Sequence, residues 1–253
     1  MKLTFLGTGT SQGVPVITCK CKVCQSTDER DKRLRTSVLI EVEGTNLVID
    51  SGPDFRQQML RENVQKLDAI LFTHEHKDHT AGLDDVRAFN YSQRKPMEVY
   101  CEERVAKSLQ QEFAYVFSEF KYPGLPKINI NNIENKKFTI NNIEIELIRV
   151  KHLKLPIFGF KISDLEYITD ANYISETEKD KIRGVKILVV NALRREKHLS
   201  HYTLSEALEL IAELKPERAY LTLLSHSMGL YNEIKKELPL NVFFAFDGLC
   251  VEI

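Results

Sequence analysis

Ala69-Ile70-Leu71-Phe72-Thr73-His74-Glu75-His76-Lys77-Asp78-His79-Thr80-Ala81-Gly82 is the stretch on which the reading of this chain turns. Four apolar residues suited to a buried strand run straight into a polar loop, and the loop carries three of the chain's seven histidines before a turn at Thr80-Ala81-Gly82. In extended backbone alternate residues share a face, so His74, His76 and Asp78 are expected to converge on one point while His79 faces a second. Imidazole and carboxylate together suit Zn, Mn, Fe or Ni, and such a mixed donor set usually leaves a coordination position open for water. A merely solvated loop is the plain alternative. The crowding of histidine into six residues argues against it.

Working outward, short runs rich in Ile, Val, Phe and Tyr recur at 3–6, 37–42, 47–49, 69–72, 97–101, 143–150, 157–162, 186–190, 218–221 and 242–246. Their length and composition read as strands. Stretches of helical period lie between several of them, at 55–63, 102–117, 203–214 and 230–238, and Thr203 followed by Glu206 makes a capping box at one helix start. Glu43-Gly44-Thr45 and Asp247-Gly248 read as hairpin turns, which predicts antiparallel pairing near both ends. Two packed sheets covered outside by helices accommodate this many strands and helices, so the expected fold class is α/β, a four-layer αββα sandwich. No linker tract or internal repeat divides the 253 residues, and one domain spanning 1–253 is expected.

Lys and Arg (35) nearly cancel Asp and Glu (36), leaving a net charge of -1 and no global basic field to gather nucleic acid. An anionic ligand must therefore be caught locally. The apolar run at 3–6 is too short for a secretory leader and no run reaches transmembrane length, so a cytoplasmic location without a membrane partner is expected. There the five cysteines stay reduced, and the crowding of three in Cys19-Lys20-Cys21-Lys22-Val23-Cys24 points to metal rather than disulfides. Three thiolates need a fourth donor to close a tetrahedral structural zinc site, and His226 is the candidate. Cys101 and Cys250 read as small buried hydrophobes. Arg33 and Arg35 read as part of a solvated charged face, with phosphate contact as the alternative.

The pattern H-x-H-x-D-H over residues 74–79 resembles the signature of the metallo-β-lactamase superfamily. That resemblance implies roles for residues that would otherwise draw no notice. Asp50, ending the run Leu47-Val48-Ile49, matches the aspartate that braces the histidine loop; alone it would be a turn residue. His152 matches a third histidine of a first metal site with His74 and His76. Asp170 matches the carboxylate that bridges two metals, so that Asp78, His79 and Asp170 would hold the second. One departure stands out: in Thr222-Leu223-Leu224-Ser225-His226, Leu223 occupies the place of a further ligand histidine, which weakens the second site.

The opening Leu6-Gly7-Thr8-Gly9-Thr10-Ser11-Gln12-Gly13-Val14-Pro15, the cysteine loop at about 15–34 and the closing Phe246-Asp247-Gly248 resemble a narrower group, the PhnP-like phosphodiesterases, over essentially the whole chain. The glycines form neither a dinucleotide fingerprint nor a P-loop. The resemblance implies a metal-dependent phosphodiesterase acting on a cyclic or small phosphodiester, with Zn or Mn (Ni or Fe as alternatives) in one or two active-site positions and a structural Zn at Cys19, Cys21, Cys24 and His226. Metal-bound hydroxide is expected to attack phosphorus, Asp78 and Asp170 to orient the water, and His201 to act as general acid. His198 reads as a solvated loop residue near it, with substrate contact as the alternative. A homodimer is implied, and a stable nucleic-acid complex is not. The alternatives are a thioester or other ester hydrolase of the same fold, or a catalytically retired metal-binding scaffold marked by Leu223.

Overall fold

In the computed structural model, which describes residues 1–120, 122–134 and 136–253, the apolar runs become the strands of two sheets. The first sheet contains β1 (Lys2–Gly7), β2 (Ser37–Val42), β3 (Thr45–Ile49), β4 (Ala69–Leu71), β5 (Met97–Cys101) and β6 (Ile128–Asn132). The second contains β7 (Phe138–Ile140), β8 (Ile143–His152), β9 (Leu155–Ile162), β10 (Leu165–Tyr167), β11 (Tyr173–Ile174), β12 (Ile187–Asn191), β13 (Arg218–Thr222) and β14 (Val242–Phe244). The last strand, β15 (Cys250–Glu252), returns to the first sheet. The orders are β15-β1-β2-β3-β4-β5-β6 and β11-β8-β9-β10-β12-β13-β14, with β7 also on β8.

Each sheet follows the same plan. Neighbours are antiparallel up to β3 in one and β10 in the other, then parallel through β4-β5-β6 and β12-β13-β14. The central parallel strands β4 and β12 are buried throughout and therefore read as largely apolar runs: all three residues of Ala69–Leu71 and all five of Ile187–Asn191 are buried. The inner faces meet in a layer containing Phe5, Ile40, Ile49 and Leu71 from one sheet and Leu147, Phe158, Phe160 and Val189 from the other.

Outside the first sheet lie α1 (Phe55–Arg61), α2 (Lys77–Thr80), α3 (Arg87–Gln93), α4 (Glu103–Glu112) and α5 (Ala114–Phe117); outside the second lie α6 (Glu176–Ile182), α7 (Leu204–Leu214) and α8 (Tyr231–Ile234). Phe55, Met59, Phe89 and Leu109 pack on Val48, Ile70 and Val99, while Ile182, Ala207, Leu210, Ile211 and Leu214 pack on Leu188, Val190 and Leu221. The result is the αββα sandwich expected. The capping box forms: Thr203 Oγ1 accepts from the Glu206 N–H at 3.2 Å, and the Glu206 carboxylate accepts from the Thr203 N–H at 2.8 Å.

Some expectations need correction. The helix expected over 102–117 breaks at Phe113 into α4 and α5. Glu43 and Gly44, both at positive φ, make the expected β2–β3 hairpin, but the Asp247-Gly248 turn does not pair its flanking strands; it carries the chain from β14 in one sheet to β15 in the other, which then pairs antiparallel with β1. Cys101 is buried, whereas Cys250 is exposed, because β15 lies at the sheet edge. Among the described residues no helix is long and apolar enough to cross a membrane.

One buried group breaks the apolar pattern. On β10, Leu165 and Tyr167 face the inner layer, so Glu166 points the other way, yet it is fully buried with neither carboxyl oxygen hydrogen-bonded. Burial pushes its carboxyl well above the ordinary range, against Lys161 and Lys181 and with Glu146 and Glu178 adding to the rise. The folded chain therefore holds a proton that the unfolded chain releases near pH 4.3, and stability falls as pH rises above that value toward the folded pKa. Thermal melts of Glu166→Gln and the parent chain should show this loss between pH 5 and pH 8 in the parent and a flatter profile in the variant; parallel profiles would contradict it.

Candidate active site

The site lies where the carboxyl ends of corresponding strands in the two sheets face one another, the usual place for ligands in open α/β sheets. From the first sheet come Asp50, just past β3, and the loop after β4. From the second come His152 at the end of β8 and Asp170 after β10. Asp50 and Asp170 both take the left-handed conformation, with φ of 64° and 55°, which aspartate tolerates better than most residues and which turns the chain sharply out of the sheet.

Asp50 has no exposed surface and is saturated with donors. It accepts from the Thr73 N–H at 2.9 Å, from Thr73 Oγ1 at 2.9 Å and from His79 Nδ1 at 2.7 Å. With Nδ1 donating, the His79 Nε2 lone pair is free to face inward. Backbone contacts lace the same loops together: the Ser51 N–H donates to His79 O and the Gly82 N–H to Ser51 O, both at 2.8 Å.

The expected extended path ends at His76. Lys77–Thr80 turns into α2, so Asp78 does not continue the alternation and leaves the face of His74 and His76 to lie beside His79, its Oδ2 3.4 Å from His79 Nε2. Two donor groups result, each with its atoms within 4.8 Å of one another: His74, His76 and His152 in one, and His74, His79 and Asp170 in the other. His152, Asp170 and His201 make a third overlapping set. Asp170 faces both ways, with Oδ2 3.1 Å from His79 Nε2 and Oδ1 accepting from His201 Nε2 at 3.0 Å.

The chemistry of these donors suits a divalent ion. Burial holds His74 well below the usual histidine range and His152 below it, so both present neutral imidazole. Burial would raise Asp170, but His79, His201 and His74 outweigh it and hold the carboxylate well below its usual range. Burial likewise opposes a charged His79, yet Asp170 and Asp50 hold it well above, so that in the ion-free chain Nε2 carries a proton whose place a bound cation would take. Its buried Nε2 has no hydrogen-bond partner despite the two nearby carboxylates. An orphaned nitrogen among carboxylates is what a cation would satisfy.

Supporting residues escaped the sequence reading. Asn191, buried at the end of β12, fixes the Ala171 backbone with two hydrogen bonds of 2.8 and 2.9 Å, and Ser200 O accepts from His152 Nδ1 at 3.0 Å. His198 lies with its Nδ1 3.0 Å from that of His201 and so is not an isolated loop residue. Arg33 is likewise not on a solvated face: it is buried, donating to Thr8 Oγ1 at 2.8 Å and to Ala245 O at 2.7 Å. Arg35 pairs with Asp54. Leu223 is buried in the left-handed region, φ 57°, yet joins none of the three apolar layers.

In the loop between β1 and β2, the sulfurs of Cys19, Cys21 and Cys24 gather around His226 Nδ1 at 3.3, 3.4 and 3.6 Å. The backbone N–H of Cys24 lowers the Cys21 thiol to about 6, while burial pushes Cys24 up to about 11. A closed set of three thiols and one imidazole matches tetrahedral zinc in donor type and number.

A β-lactamase superfamily domain is matched over residues 45–222. The crystal structure of a new diphosphatase from the PhnP family superposes with a TM-score of 0.93 at 34% identity, covering 100% of this chain and 97% of that one. Zinc-bound PqqB from Methylobacterium extorquens has the same fold, with a TM-score of 0.81 at 18% identity and full coverage of both chains. A protein of Porphyromonas gingivalis named octanoyltransferase is 38% identical over 98% of this chain but only 51% of its own length, so the chain spans about half of that relative. The chain belongs to the metallo-β-lactamase superfamily. Within it, the chain is closely related to PhnP-family diphosphatases.

Close backbone approach at the site is testable. A Cβ on Gly52 would lie 2.1 Å from the Asp78 carbonyl oxygen, which only a backbone shift could relieve. Such overpacking typically costs about 1–3 kcal/mol. Gly52→Ala is expected to lower the thermal midpoint by several degrees and to reduce retained metal; an unchanged midpoint would show that the loops are not so tightly apposed.

Proposed function

We propose that this chain is a phosphodiesterase acting on a cyclic or other small phosphodiester, with Zn or Mn held by His74, His76 and His152 and, more weakly, by Asp78, His79 and Asp170. The observation that carries the reading is the two-sided Asp170 carboxylate, set between His79 and a hydrogen-bonded His201. Ions bound there supply Lewis acidity and acidify water toward a pKa of about 7. The remaining work falls to side chains. Asp78 and Asp170 orient the attacking water. His201, only partly buried at the rim, donates its proton to the departing oxygen, and His198 meets its other ring nitrogen. Near-zero net charge favours a small substrate over a nucleic acid, and the whole chain acts as one catalytic domain.

A second substrate reading, a diphosphate bridge rather than a phosphodiester, draws support from the relative titled a diphosphatase at 34% identity. Both contain a phosphoryl group with a leaving oxygen that His201 can protonate. Assays of the Zn- or Mn-loaded protein against bis-p-nitrophenyl phosphate, 2′,3′-cyclic nucleotides and a dinucleoside diphosphate separate the two. Turnover is expected, lost in His76→Ala and reduced about 10²–10⁴-fold in His201→Ala with metal retained. No turnover with any metal, or a fully active His76→Ala, would overturn the proposal.

The metals are addressed independently of turnover. Cys19, Cys21, Cys24 and His226 are proposed to hold one structural zinc. Cys21→Ser should then lower zinc content by about one per chain and reduce thermal stability, because the energy of binding a structural zinc contributes directly to folding. Leu223→His should raise the occupancy of the second active-site position. Unchanged zinc in the first variant, or unchanged stoichiometry in the second, would contradict these assignments.

A further inference from the structure

The candidate metal site draws its ligands from both sheets, and nothing in the histidines themselves fixes the distance between His74 and His76 on one side and His152 on the other. A charged network at the rim crosses from one side to the other. Glu75, which separates His74 from His76, accepts from Arg104 Nη1, and the second oxygen of Glu75 is buried without a partner. Arg104 Nη2 donates to Pro156 O at 2.8 Å and lies 3.4 Å from Glu102 Oε2. Pro156 neighbours Leu155, whose register partner is His152. Glu102 in turn takes a two-pronged ion pair from Arg149 on β8, at 2.9 and 3.3 Å, and the Arg149 guanidinium lies 3.7 Å from the centre of the Phe158 ring. The Phe158 N–H donates to Thr73 O at 3.2 Å, closing the circuit beside His74.

The geometry points to Arg104 as a positioning residue that sets the spacing of the His74–His76–His152 site by gripping the histidine loop and β9 with one guanidinium. A planar fork with five donors can hold the Glu75 carboxylate and the Pro156 carbonyl at once; an ammonium of shorter reach cannot. All four charged side chains are a quarter to a third exposed, so simple ion pairing would contribute little to stability. The effect should instead appear in the metal site, as residues that orient ligands typically change metal affinity by about 10–100-fold.

This inference rests on the metal reading above, and the test keeps the two apart. Zinc-loaded parent, Arg104→Lys and Arg104→Ala proteins are titrated with a chromogenic chelator, and Co(II)-substituted samples are examined by visible absorption. Release of the histidine-held ion should become about 10-fold or more easier in Arg104→Ala and intermediate in Arg104→Lys, with altered ligand-field bands. The thiolate-to-Co(II) band of the cysteine site should be unchanged, which shows that the chain remains folded. Glu102→Gln, which weakens the Arg149 link, should give a smaller shift in the same direction. A parent chain that holds no ion at the histidines would defeat the metal reading itself. Equal release from parent and Arg104→Ala, with the histidine ion present in both, would overturn the positioning role.

Discussion

A carboxyl group with no contact with solvent, Asp50, holds this site together. Leaving such a group unpaired in a protein interior costs several kcal/mol, so its position is viable only because Thr73 and His79 surround it with donors. The arrangement works in both directions. Asp50 obtains its hydrogen bonds, and in return it fixes the start of the histidine loop through Thr73 and the tautomer of His79 through Nδ1. His79 Nε2 is thereby left inside the site without a hydrogen-bond partner.

The second sheet repeats the logic with different residues. Asp170 leaves β10 as Asp50 leaves β3, at the strand where pairing changes from antiparallel to parallel, and with the same left-handed backbone. Asn191 performs for the Ala171 backbone the bracing that Asp50 performs for Thr73. Two similar half-sites, each rigid by itself, meet across the inner apolar layer. Their relative placement is a separate problem, which bonds crossing between sheets must solve.

The parts of this design legible in the sequence were those with a local signature. H-x-H-x-D-H after an apolar run, three cysteines within six residues and a capping box each declare themselves over a short stretch. The strands of β12 and β13 were plain because burial on both faces makes them continuous apolar runs. What escaped had its cause elsewhere in the chain. β6 is absent from the expected strands; asparagine is depleted in strands, yet Asn129 and Asn131 both donate to the Glu98 carboxylate on the neighbouring strand. Alternation alone puts Asp78 with His74 and His76, whereas the family resemblance sets it beside His79, where it lies; period-two reasoning holds only while the backbone stays extended, and Lys77 begins a helical turn. Arg33 looked like one more charge on a surface until Thr8 and Ala245, far apart in sequence, closed over it.

The central claim, that imidazoles from two sheets share one ion, is most directly met by anomalous diffraction from crystals of the protein loaded with Zn or Mn. The account predicts an anomalous peak within coordinating distance of His74, His76 and His152, separate from any at the cysteine loop. Full occupancy at the cysteines with no peak among the histidines would contradict it.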